Sequence, residues 1–99
     1  MTLTKIALAT EVPPGTSKIM QVADKQIAIF NVQGRYYAIQ NNCPHQEGNL
    51  GEGELEGTIV TCPQHGWMFD IVTGDGKTVP KKIQTFKVEL IDHFLAIDI

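Results

Sequence analysis

Both cysteines of the chain and two of its three histidines fall in two short clusters. These are Cys43-Pro44-His45 and, sixteen residues later, Cys62-Pro63-Gln64-His65. Two thiolates and two imidazoles are a full ligand set for one metal centre. A proline follows each cysteine and stiffens the backbone where a ligand must be aimed. As ligand types alone, the set suits a structural zinc ion or an iron–sulfur centre. A nucleophilic Cys–His pair is a third chemistry, but it leaves the second pair without a purpose.

At these positions the chain resembles the Rieske iron–sulfur proteins. Their pattern is Cys-x-His, a gap of about this size, then Cys-x-x-His. Gly66, Phe69, Asp70, Thr73 and Gly74 extend the match beyond the ligands. The resemblance implies one [2Fe–2S] cluster, with Cys43 and Cys62 on one iron and His45 and His65 on the other. It also implies one-electron transfer through the imidazole edges, with no catalytic residue in the chain. The glycine-rich loops and flanking residues favour this reading over zinc.

High-potential members of the family carry an extra cysteine in each ligand loop, joined as a disulfide. The matching positions here are Gly48 and Gln64, so the loops must be held by hydrogen bonds and packing. Those members also have a serine and a tyrosine after the second histidine. Trp67 and Phe69 stand there instead and offer no hydroxyl. The expected potential is therefore near the low end of the Rieske range, roughly −150 mV. Within the family this pattern belongs mostly to ferredoxins that pass electrons from a flavin-dependent reductase to a terminal oxygenase. Two other readings remain open: a small subunit of a larger enzyme such as nitrite reductase, and a zinc-bound interaction module.

The net charge of −3 argues against a general affinity for nucleic acid or anionic membrane. Residues 41–76 hold six acids (Glu47, Glu52, Glu54, Glu56, Asp70, Asp75) and no lysine or arginine. That end is suited to steering a basic partner. The apolar run Ile6 to Ala9 is too short for a signal core or a spanning helix, so a soluble, cytoplasmic protein is expected.

The 99 residues, 42% hydrophobic, predict a single domain. Alternating and apolar runs predict strands over residues 2–9, 18–23, 26–33, 35–40, 58–61, 67–72, 85–90 and 94–99. Turns are expected at Val12-Pro13-Pro14-Gly15, Asp24-Lys25, Gln33-Gly34 and Asp75-Gly76-Lys77. The run from Ile27 to Val32 is apolar on both faces and should be a central strand. In residues 35–40, Tyr37 and Ile39 should face one way, Tyr36 and Ala38 the other. The tyrosines read as packing residues and His93 as a turn residue at positive φ. Seven of nine glycines lie in 41–76, which forbids a stable helix there. The predicted fold is all-β: an antiparallel sandwich or partly open barrel. A base of 1–40 and 77–99 would carry a cluster-binding subdomain of 41–76. By resemblance, a loop at Pro80 would cover the cluster.

Overall fold

The computed structural model describes residues 3–44, 48–64 and 66–98; Thr2, His45, Glu47, His65 and Ile99 lie outside them. Among the described residues, ten strands form three antiparallel sheets. They are β1 (Leu3–Leu8), β2 (Ser17–Val22), β3 (Lys25–Val32), β4 (Arg35–Gln40) and β5 (Glu54–Glu56). There follow β6 (Ile59–Thr61), β7 (Met68–Asp70), β8 (Thr85–Phe86), β9 (Val88–Ile91) and β10 (Phe94–Asp98). The sheets have the orders β1-β10-β9, β2-β3-β4-β8 and β5-β6-β7. Among the described residues, no helix is long and apolar enough to cross a membrane.

Strand β3 is the shared wall of two cores. Ala28 and Phe30 face a core that includes Leu50, Val60, Phe69, Ile71, Cys43 and Cys62. Ile27 and Ile29 face another, with Val12, Phe86, Leu95 and Ile97. All four of these β3 residues are at most 1% exposed, as expected of a strand apolar on both faces. Strand β4 divides its side chains the same way: Tyr37 and Ile39 on the first core, Tyr36 and Ala38 on the second. The Tyr36 hydroxyl donates to the Ala9 carbonyl at 3.4 Å, and each tyrosine packs against its core.

Tight turns set the registers. Gln33 and Gly34 have φ of 54° and 89° and join Val32 to its partner Arg35, the geometry a two-residue hairpin needs. Asp92 and His93 do the same between β9 and β10, with φ of 48° and 72°. The β2–β3 turn falls one residue earlier than expected, at Ala23-Asp24, because Val22 pairs with Lys25.

Three other expectations are corrected. The run 85–90 is two strands: β8 pairs with β4 and β9 with β10, so the chain changes sheets at Lys87. Phe86 and Val88 still pack inward, but Leu90, on the edge strand, is 61% exposed. The turn after β7 comes at 71–73, before the expected Asp75-Gly76-Lys77. There the Gly74 N–H donates to the Asp70 carbonyl and the Val72 N–H to Asp70 Oδ1. Finally, β5 is an additional strand, built on the short alternation Glu54-Leu55-Glu56 and paired to β6.

Candidate metal centre

Where the chain leaves β4, the stretches before and after residues 45–47 pair with each other. Asn42 bridges to Asn49, and the Cys43 N–H donates to the Gly48 carbonyl at 2.9 Å. The far end of this first ligand loop, Leu50–Glu52, makes one 3-10 turn. The Gly51 carbonyl accepts from Ser17 Oγ at 2.7 Å, which docks this end onto β2. The second ligand loop joins β6 to β7. The Cys62 N–H donates to the Trp67 carbonyl at 2.7 Å, and its carbonyl accepts from the Gly66 N–H at 3.0 Å. Gly66 has φ of 74°, a value glycine adopts without a steric penalty.

The two loops converge on Gly48. A β-carbon built there would lie 2.5 Å from Cys62 Sγ, 3.2 Å from Gln64 Cγ and 3.4 Å from Cys43 Cβ. Both cysteines are buried in one core and are not joined to each other. Gly48 and Gln64, the positions expected to replace a disulfide, face each other. The residues present fit an iron–sulfur cluster: two buried thiol side chains converge beside a glycine that leaves them room. His45 and His65 follow these cysteines by two and three positions and lie outside the described residues.

Residues 2–89 match the Rieske [2Fe–2S] domain. The chain belongs to the Rieske family. Its cofactor is one Rieske-type [2Fe–2S] cluster. The biphenyl dioxygenase ferredoxin subunit of Pseudomonas sp. (strain KKS102) is 41% identical over 81 residues, covering 81% of this chain and 74% of that protein. The biphenyl 2,3-dioxygenase ferredoxin component of Rhodococcus jostii (strain RHA1) is 33% identical, covering 100% of this chain and 94% of that protein. A chain in the complex of reduced oxygenase and oxidized ferredoxin in carbazole 1,9a-dioxygenase superposes with a TM-score of 0.87 at 28% identity. That match covers 96% of this chain and 91% of that one. The present chain is thus a Rieske ferredoxin, an electron carrier.

Around the cysteines, this ferredoxin sets aromatic side chains. The Trp67 and Phe69 rings lie 6.5 Å apart at 53°, Phe69 fully buried and Trp67 packed on the core that holds both cysteines. Val79, next to Pro80, packs on that core as well. The Gly76 N–H closes this loop by donating to the Lys81 carbonyl at 2.7 Å. The inner face of β5-β6-β7 supplies Leu55, Val60 and Phe69. Its registers place Glu54, Thr61 and Met68 in one outer row and Glu56, Ile59 and Asp70 in the next. A groove of about 510 Å³ runs along this outer face, lined by Glu54, Glu56, Ile59, Thr61 and Met68.

Proposed function

We propose that Cys43, His45, Cys62 and His65 hold the cluster, and that the chain carries single electrons from a flavin-dependent reductase to a terminal aromatic-ring oxygenase. The convergence of Cys43 and Cys62 at Gly48 supports the ligand assignment most directly. Two histidines at the Rieske spacing complete the donor set. When bound, the cluster supplies reversible one-electron storage. The chain's own residues do the rest. The apolar core of Phe69, Val60 and Leu50 excludes water from the thiol side, and the loop backbones aim the ligands. Pro80 belongs to a loop that covers the centre, and residues 41–76 act as the cluster-binding unit.

The partner assignment rests on the relatives, which are ferredoxin components of dioxygenase systems, one of them solved with its oxygenase. These relatives favour a carrier over a reductase subunit or a zinc module. The protein is soluble and cytoplasmic and is not itself an enzyme. Glu54, Glu56 and Asp70 on the outer face of β5-β6-β7 steer a basic surface of the partner towards this end.

The test is electron paramagnetic resonance of the reduced, anaerobically purified chain. Mixed nitrogen and sulfur ligation gives a lower average g value than four thiolates. Cys43→Ser and Cys62→Ser should lose the cluster, and His45→Ala and His65→Ala should lose the Rieske spectrum. An unchanged spectrum in either histidine variant would refute the assignment. Iron-free, colourless protein holding zinc would refute the carrier function.

A further inference from the structure

Among the described residues, two polar side chains are fully buried, Asn31 and Asn41. Asn41 stands two positions before Cys43, where the chain leaves β4 for the first ligand loop. Burying an amide is costly unless its hydrogen-bonding groups are matched, and here they are. Nδ2 donates to Asn49 Oδ1 at 2.9 Å and to Gln26 Oε1 at 3.2 Å. Oδ1 accepts from the Gly51 N–H at 2.9 Å. The main chain adds two bonds: the Asn41 N–H donates to the Gln26 carbonyl at 2.9 Å, and its carbonyl accepts from the Leu50 N–H at 2.7 Å. One residue thus ties the start of the loop to its end and to β3. Asn49 extends the tie by donating to Glu52 Oε1 at 3.0 Å. Cys43 and the Gly48 carbonyl that receives its N–H lie inside this clasp.

We infer that Asn41 is the positioning residue of the first ligand loop, a role that presupposes the four ligands assigned above. It fixes the two ends of the loop, so the backbone of Cys43 departs from β4 in one direction. It does this where a bridge between positions 48 and 64 is absent. Unlike a disulfide, the clasp cannot be reduced, so the loop is held equally in reducing and oxidising surroundings.

Asn31 provides the control. It is equally buried, but it ties β3 to Val12 and Gly34, with both bonds at 2.8 Å. Asn41→Ala and Asn31→Ala holoproteins are compared in thermal midpoint, in half-life of cluster loss to an iron chelator and in the line shape of the reduced protein's resonance spectrum. Both substitutions should lower the midpoint. Asn41→Ala alone should shorten the half-life, by about tenfold for one unsatisfied buried group, and broaden the spectrum. Equal half-lives in the two alanine variants would overturn the role.

If Asn41→Ala cannot be obtained folded, Asn49→Ala removes one half-buried rung of the same clasp. It should shorten the half-life by about threefold, and an unchanged half-life would again overturn the role. A wild-type chain that takes up no iron overturns the ligand assignment and this role with it. Iron-bound wild type with an unaffected Asn41→Ala overturns this role alone.

Discussion

A β-carbon on Gly48 would stand 2.5 Å from Cys62 Sγ, so the glycine of one ligand loop is the surface on which the thiol of the other rests. A branched side chain there must displace the sulfur or open the loop. Overpacking of this kind costs about 1–3 kcal/mol. Gly48→Val is expected to bind less iron per chain and to melt earlier, with an unchanged far-ultraviolet circular dichroism spectrum. Iron analysis and thermal melts check this.

Phe69 pairs with Val60 across β6 and β7 and is fully buried beside the cysteines. Phe69→Ala should cost about 3–5 kcal/mol. That is a large share of the roughly 5–15 kcal/mol typical of a whole domain. Urea unfolding of the cluster-free chain should show a sharply lower midpoint or no folded baseline.

The hydroxyl-free pair Trp67 and Phe69 sets an expectation for the potential. Potentiometric titration should place the midpoint near the low end of the family range, about −150 mV. Phe69→Tyr restores the family's hydroxyl at this position. A hydrogen bond worth about 1 kcal/mol more to the reduced state raises the midpoint by about 40 mV. A wild-type value well above zero would contradict this prediction.

Lys18 Nζ lies 2.7 Å from Glu11 Oε1, and the Leu8 N–H donates to Oε2 at 2.8 Å. The Lys18 hydrogen bond first, and then that of Leu8, hold the Glu11 carboxyl below its ordinary range. The depressed carboxylate stabilises the fold above the unfolded-state value and stops doing so as pH falls through its lowered folded value. Glu11→Gln should therefore melt slightly below wild type above about pH 5 and converge with it in strong acid. The pair is solvent-exposed, so the gap should be small and should shrink with added salt.

Charge reversal on the outer face of β5-β6-β7 tests the steering role. Glu54→Lys with Glu56→Lys should lower the low-salt rate of association with the oxygenase by about tenfold, and the difference should fade as ionic strength rises. Stopped-flow mixing at several salt concentrations reads both effects. Rates that do not respond to salt would remove the steering role.

Much of this architecture was legible where one local signal dominated. The apolar run of β3 foretold its burial on both faces, and the alternation in β4 foretold that Tyr36 and Tyr37 face opposite ways. Gln33-Gly34 and His93 were readable because few residues tolerate positive φ. The misplaced features depend on distant partners. Lys87 interrupts an unbroken alternation because β8 and β9 belong to different sheets. Val12, fully buried, sits in what reads as a proline turn because the second core closes over it. The spacing of Cys43 and Cys62 pointed to the place where their two loops converge. The clasp at Asn41 was not legible, since nothing local distinguishes it from the neighbouring Asn42. Only the approach of Gln26, Asn49 and Gly51 does so.

The double burial of β3 bears on how the protein ages. With one strand lining both interiors, a breach on either side loosens the same strand, so fraying at the opposite end is expected to reach the iron end as well. Damage far from the metal should therefore surface first as bleaching of the protein's colour.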